Sequence, residues 1–232
     1  MIARDGLILI GIGVVLTIIL VLAATRYDSK SLFALSLIFG MLAIFTTFFF
    51  RDPDRSFDPA EDILIAPADG RVLAVEKISH PFIGEALKVS IFLSILDVHV
   101  NRVPATGVVD YVEYNPGKFF AAFQDKASEL NEQTEIGMTS DTGHKLVCKQ
   151  IAGFIARRIV CRLNEGDTVL AGNRFGLIRF GSRTELFVPA DSRIEVVAGD
   201  HVAGGETVIG YLPEVVGDRL TENNTEGNRA EI

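Results

Sequence analysis

The sequence predicts a mostly β (α+β) globular domain preceded by two membrane-spanning helices. Two uncharged apolar stretches, residues 6–24 and 31–50, stand near the start of the 232-residue chain. Beyond residue 50 the chain is acidic, and short apolar runs, some of them alternating, are separated by turn residues, which is typical of strands. Two later segments, 165–172 and 198–210, repeat a Gly-Asp turn followed by a short strand and a glycine turn.

Each apolar stretch is long enough to cross a membrane as a helix. About 20 helical residues span about 30 Å, which is the thickness of a bilayer core. The linking residues 25–30 allow only a tight turn, so residues 1–50 are predicted to form a helical hairpin. The alternative is a cleaved signal peptide followed by a buried helix, but the first stretch is long for a signal peptide and lacks a plausible cleavage site. The Phe48–Arg51 border is typical of an interfacial aromatic anchor with an arginine.

The rest of the chain is predicted to form one domain between a linker and a tail. Residues 51–62 are polar, contain two prolines and should form an extended linker, whereas residues 214–232 form a polar tail that we expect to be disordered. The domain at 63–213 should contain one helical segment, at about 118–132. We expect its strands at 63–66, 71–75, 87–93, 108–114, 145–151 and 154–161.

Composition excludes some classes of function. The chain carries 30 acidic and 22 basic residues, for a net charge of −8, so nothing indicates nucleic-acid binding. Its two cysteines, Cys148 and Cys161, lack metal-ligand spacing, so we predict two core thiols and no metal.

A single Gly-Ser step, Gly181-Ser182, carries the strongest chemical signal. Such a peptide bond can break itself when the serine hydroxyl attacks the preceding carbonyl and the acyl group moves from nitrogen to oxygen. Elimination and loss of ammonia then leave a pyruvoyl group on the new N-terminus. Glycine suits the upstream position because it permits close approach and unusual backbone angles. For the dipeptide alone, a plain turn between two strands is the alternative.

Seven motifs follow one another along the chain and together cover roughly residues 48–212. They are Phe49-Phe-Arg-Asp-Pro53, Ala66-Pro-Ala-Asp-Gly70, Ile91-Phe-Leu-Ser94 with Asp97-Val-His-Val-Asn-Arg102, Tyr114-Asn-Pro-Gly-Lys-Phe119, Asp125-Lys-Ala-Ser-Glu129 with Asn131-Glu132, Gln150-Ile-Ala-Gly153 with Ala156-Arg-Arg158, and the segment Arg174 to Pro189 around the Gly-Ser step. With these motifs in this order, the chain resembles the phosphatidylserine decarboxylase proenzyme family in its short bacterial and archaeal form.

The resemblance implies a pyruvoyl-dependent enzyme that converts phosphatidylserine into phosphatidylethanolamine. The precursor would cleave itself between Gly181 and Ser182 into a β chain of residues 1–181 and an α chain of residues 182–232, which would remain associated. Decarboxylation at an α-amino carbon needs an electron sink, and a pyruvoyl carbonyl made from Ser182 would supply it without an external cofactor. The small, mostly β domain has no sign of a pyridoxal phosphate fold.

Three catalytic roles follow from the resemblance. Ser182 would be the nucleophile, His99 the base that activates it, and Asp69 the acid that orients the base. Asp97 is an alternative orienting acid because it alternates onto the strand face of His99. A strand histidine with satisfied hydrogen bonds and an ordinary turn aspartate are the plain alternatives.

The chain departs from the family's long-form branch, which carries a second histidine where Arg102 stands here. Either His99 acts alone, or Arg102 contributes by binding a carboxylate or phosphate. Lys118 and Lys126 match family positions and could bind the phosphoserine head group, with a solvated polar surface as the alternative.

Two other classes of function are alternatives for this sequence. A pyruvoyl decarboxylase of a soluble amino acid would have no need of two apolar spans. A membrane-anchored, non-enzymatic adaptor or carrier of the barrel-sandwich type would explain the Gly-Asp hairpins, but it leaves the Gly-Ser segment unexplained.

The expected partners are phosphatidylserine in the bilayer and the two chains of one precursor, with a homodimer left open. The resemblance implies the inner membrane of the cell, with the catalytic domain on the cytoplasmic face. The positively charged residues on either side of the hairpin favour that orientation only slightly.

Overall fold

The computed structural model describes residues 1–56, 62–118, 130–153, 159–179 and 182–214. It begins with two helices, α1 (Arg4–Arg26) and α2 (Lys30–Phe49), which pack against each other as a hairpin. Both are long and apolar enough to cross a membrane, and only 6% and 17% of their most apolar windows is buried. A core helix of a soluble domain would be mostly buried, so this hairpin is suited to membrane association.

The domain that follows is built from strands, as predicted. Every strand pairing among the described residues is antiparallel. The strands are β1 (Ile63–Ile65), β2 (Gly70–His80), β3 (Gly84–Leu93), β4 (Val100–Arg102), β5 (Gly107–Asn115), β6 (Gln133–Ser140), β7 (Lys145–Ala152), β8 (Ile159–Cys161), β9 (Thr168–Val169), β10 (Arg174–Ile178), β11 (Ser182–Pro189), β12 (Arg193–Ile194), β13 (His201–Val202) and β14 (Val208–Tyr211).

The main sheet is a curled half-barrel in the order β13-β2-β3-β11-β7-β6-β5-β9. Two three-stranded sheets, β1-β14-β12 and β4-β10-β8, complete the domain. The short strands of the two Gly-Asp hairpins, β9 and β13, form the opposite edges of the main sheet. Their turn glycines Gly166 and Gly199 have φ values of 86° and 106°, a region that glycine adopts without the strain of a Cβ. The predicted fold class is therefore confirmed.

Apolar residues from all three sheets enclose the main core. Strand alternation sends one face of each strand inward, and the buried set includes Ile91, Ile136, Phe175 and Leu186. Cys148 is buried in this core, and Cys161 packs against it.

The base of the hairpin is docked on the β domain. Phe49 and Phe50 at the end of α2 are fully buried and pack against Val98, Val100 and Leu177. Asp52, just beyond α2, forms ion pairs with two arginines of the domain, Arg174 at 2.7 Å and Arg102 at 3.4 Å. The helices are thus held directly against strands β4 and β10.

Some predicted features fall outside the described residues. The predicted helix lies mostly within residues 119–129, and the first part of the strand expected at 154–161 lies within 154–158. Lys126, Gly181 and the tail beyond residue 214 also lie outside, so their predictions stand as made.

Candidate active site

Ser182 is the first residue of β11, a strand in the interior of the main sheet. It pairs with Leu93 of β3 on one side and with Ala152 of β7 on the other. Ser182 is 0% exposed, and its Oγ has no hydrogen-bond partner among the described residues. A buried hydroxyl without a partner is costly, so its position calls for a chemical explanation.

His99 lies immediately before β4 and is also 0% exposed. Its carbonyl oxygen accepts a hydrogen bond from the backbone N–H of Ile178 at 3.2 Å, at the end of β10 that leads toward Ser182. The imidazole packs against the ring of Phe49, with centroids 4.2 Å apart. The end of the membrane hairpin therefore forms one wall around this histidine.

His99 directly precedes β4 and Ser182 begins β11, and a side-chain contact links these two strands. Side chains alternate along a strand, so His99 shares a face with Asn101, and Ser182 shares a face with Thr184. The Asn101 amide lies 3.4 Å from the Thr184 hydroxyl. The His99 carbonyl is hydrogen-bonded to Ile178, the last residue of β10, and β11 begins shortly afterwards at Ser182. Both β4 and β11 therefore start near the end of β10, and His99 and Ser182 lie on the same side of the Asn101–Thr184 contact.

Burial makes the His99 imidazole neutral. Desolvation lowers the pKa of His99 from its ordinary 6.5 to about 4. Its Nδ1 lies 2.9 Å from the carbonyl oxygen of Asp97. A carbonyl can only accept, so Nδ1 carries the hydrogen and Nε2 carries the lone pair. This is the protonation state that a general base requires.

The two candidate orienting acids have other contacts in this structure. Asp69 forms a two-pronged ion pair with Arg55, including a 2.9 Å contact between Nη2 and Oδ2, and it accepts the N–H of Gly204 at 2.8 Å. The Asp97 carboxylate accepts the N–H of Ser94 at 2.7 Å. The main-chain oxygen of Asp97 is thus a direct orienting contact of His99, and a catalytic role for either carboxylate stays a prediction.

The predicted substrate-binding residues differ in their surroundings. Arg102 is 2% exposed, and its guanidinium donates to the carbonyls of Gly172 at 3.0 Å and Pro53 at 2.9 Å. These contacts tie the linker to the domain, while substrate binding by Arg102 stays a prediction. Lys118 is exposed, and its backbone bridges to Asn131 beside β6.

One residue with a suitable charge was missed by the sequence reasoning. Arg179 lies within the segment around the Gly-Ser step and is half-buried, with its guanidinium carbon 5.9 Å from the centroid of the Phe50 ring. No ion pair joins it to an acid in the described part of the chain. Its place two positions before Gly181 was the signal that could have identified it.

Buried polar groups line both faces of β11 next to the serine. On the Ser182 face, the Gln150 amide donates to Asn101 Oδ1 at 2.8 Å, which extends the contact between Asn101 and Thr184. On the opposite face, Arg183 pairs with Glu185 at 2.9 Å, and both side chains are at most 3% exposed. Four consecutive polar residues at the start of an otherwise apolar strand, Ser182 to Glu185, were the available signal, but several of their partners lie on distant segments.

Comparison with known proteins gives the family. The sequence model of phosphatidylserine decarboxylase matches residues 42–210. A phosphatidylserine decarboxylase proenzyme of Symbiobacterium thermophilum is 45% identical over 215 residues, which cover 92% of this chain and 96% of that protein. The proteins of the same name from Desulfotalea psychrophila and Salinibacter ruber are 45% and 50% identical and cover 91% and 77% of this chain, and 96% and 80% of their own lengths. The match extends over most of the β domain and includes every predicted catalytic residue, so this chain belongs to the phosphatidylserine decarboxylase family.

Proposed function

We propose that this chain cleaves itself between Gly181 and Ser182 and then decarboxylates phosphatidylserine to phosphatidylethanolamine. One observation carries the proposal. A fully buried serine hydroxyl without a hydrogen-bond partner among the described residues opens an interior strand, and a neutral histidine lies at the same end of the facing strand. The residue types and their burial suit nucleophilic attack on a neighbouring carbonyl.

The self-cleavage uses groups of the chain itself. Ser182 Oγ loses its proton to His99 and attacks the carbonyl carbon of Gly181, and the acyl group passes from nitrogen to oxygen to form an ester. Loss of the Cα proton of Ser182 expels the Gly181 carboxylate and leaves a dehydroalanine. Tautomerisation to the imine and addition of water then release ammonia, and a pyruvoyl group remains at position 182.

Position 182 suits a pyruvoyl group because the interior can hold it in one orientation. The group would supply the carbonyl that withdraws electrons from the substrate Cα as carbon dioxide leaves. Leu93 and Ala152 flank the position through the two neighbouring strands, and the site is shielded from bulk water. The Nε2 lone pair of His99 could receive or return a proton at this end of the strand.

The fold explains how two chains could stay together after the cut. The α chain would contain β11, whose residues pair with β3 over their full length and with β7 over Ser182–Phe187. It would also contain β13 and β14, which pair with β2 and β1 of the β chain. Separating the chains would break pairings within two of the three sheets.

The hairpin supports a site next to lipid. The second of its two exposed apolar helices ends at Phe49, which contacts the predicted base directly. A substrate confined to the same bilayer would reach the site by a search along a surface. Arg179, beside Phe50, has the charge to bind the lipid phosphate. The family resemblance favours the inner membrane with the domain on the cytoplasmic face.

An intact mass of the purified protein tests the proposal. We expect two chains broken after Gly181, with the smaller one lighter than its serine form by one ammonia. The same preparation should form phosphatidylethanolamine from phosphatidylserine vesicles, and Ser182→Ala should do neither. A single uncut chain in an active preparation would refute the pyruvoyl mechanism.

A further inference from the structure

The loop that carries His99 has two exposed apolar side chains at its tip. Residues 94–99 connect β3 to β4, and Ile95 and Leu96 within this loop are 43% and 60% exposed. The turn is held from within, because the Asp97 carboxylate accepts the N–H of Ser94 at 2.7 Å and the Asp97 N–H donates to the Ser94 carbonyl at 3.0 Å. This capped turn holds both apolar side chains on the outside.

Arg51 fixes the level of this tip relative to the hairpin. Its Nη2 donates to the Leu96 carbonyl at 2.6 Å, and its Nη1 donates to the Phe48 carbonyl at 3.1 Å. The same guanidinium lies 4.1 Å from the ring centroid of Phe48, which is 43% exposed on the last turn of α2. The backbone of Leu96 is therefore level with the end of the apolar helix.

That level is where a membrane surface would lie if α2 spans the bilayer. Aromatic rings and arginines are enriched at the boundary between hydrocarbon and head groups, and Phe48 with Arg51 forms such a pair. Exposed apolar side chains at this boundary gain free energy by leaving water and entering the membrane interface, because water in contact with apolar surface is unfavourable.

We infer that Ile95 and Leu96 insert into the membrane interface beside α2 and form a third membrane contact of this protein. The inference rests on the proposed function in one respect, namely that the hairpin spans a membrane. Val98 and His99 follow directly and are buried against the end of α2. The inserted loop would thus hold the predicted base and the mouth of the site at the lipid surface, where a phospholipid head group can enter.

The chain contains no tryptophan, so single tryptophans can report on the surroundings of chosen positions. Ile95→Trp probes the loop, and Leu96→Trp provides a second probe in case the first variant folds poorly. Val108→Trp is the matched control, because Val108 is 42% exposed at the start of β5, at the end of the main sheet remote from Ser182. Leu22→Trp on α1, 63% exposed, is the positive control for hairpin insertion.

The full-length variants are reconstituted in phosphatidylcholine and phosphatidylglycerol vesicles with and without brominated acyl chains. We expect the loop probes to show blue-shifted emission and quenching by bromine, as Leu22→Trp does, while Val108→Trp shows neither. If both loop probes behave like Val108→Trp while Leu22→Trp is quenched, the inference is overturned. If Leu22→Trp also escapes quenching, the spanning hairpin fails together with the inference. Formation of phosphatidylethanolamine by the unaltered protein is measured separately, so failure of the enzymatic function would be recognised on its own.

Discussion

Self-cleavage should persist in mild acid because His99 is buried. Desolvation lowers the pKa of His99 from 6.5 to about 4, and only the neutral imidazole can take the serine proton. With a pKa near 4, the neutral fraction falls only about 1.1-fold between pH 7 and pH 5, whereas an ordinary histidine with a pKa of 6.5 would lose about 25-fold. The pH dependence of processing therefore reports directly on the environment of His99.

The perturbation that tests this reasoning is Phe49→Ala. Phe49 lies 4.2 Å from the imidazole and is itself fully buried, so removing its ring admits water to the histidine. Hydration stabilises the charged form, so the pKa of His99 should rise toward its ordinary value. We expect the Phe49→Ala precursor to process near its maximal rate at pH 8 and to slow steeply between pH 7 and pH 5.

The assay is a short pulse of cell-free synthesis in the presence of vesicles, followed by dilution into buffers from pH 5 to pH 8. Cleavage is then followed by gel electrophoresis. Phe33→Ala is the control, since Phe33 is exposed near the other end of α2, and this variant should keep the flat profile. The reasoning is refuted if the unaltered precursor slows about 25-fold between pH 7 and pH 5, or if Phe49→Ala and Phe33→Ala give the same profile.

Three further predictions concern the remaining site residues. Ser182→Ala should remain a single, inactive chain in denaturing gels, and cleavage of this variant would eliminate the serine mechanism. Arg102→Gln should lower the free energy of unfolding by on the order of 1–3 kcal/mol, because buried carbonyls lose their donor. Arg179→Gln should leave the melting temperature unchanged and raise KM for phosphatidylserine. If melting curves and kinetics instead show that Arg102→Gln raises KM and Arg179→Gln lowers stability, Arg102 is the substrate-binding residue. Asp69→Asn and Arg55→Gln should both lower the melting temperature, because each breaks the ion pair between these two residues, and Arg55→Gln also removes the pair with Glu206. Only Asp69→Asn should stop processing, and equal processing of the two variants would give Asp69 a structural role.

Among the described residues, the structure contains the hairpin and the β domain that were predicted from local pattern. The apolar hairpin needs only composition and length, and the β domain needs only short apolar runs between turns. Ser182 could be named as the candidate nucleophile because the Gly-Ser step and its flanking motif are contiguous. The partners of the site residues could not be predicted in this way. Asp69 pairs with Arg55, 14 positions away, and Phe49 reaches His99 across 50 positions, so each contact depends on how the linker folds back.

The short segment after α2 explains why the hairpin is more than a tether. Arg51 binds the carbonyl of Leu96 in the loop that carries His99, whereas Asp52 binds Arg102 on β4 and Arg174 on β10. These two strands pair with each other, and His99 precedes one while the cleavage segment follows the other. A shift of the hairpin would therefore be transmitted both to the predicted base and to the chain that leads into the predicted cleavage site. Because Phe49 also packs on the imidazole, the end of the hairpin is a structural part of the site that we propose activates Ser182.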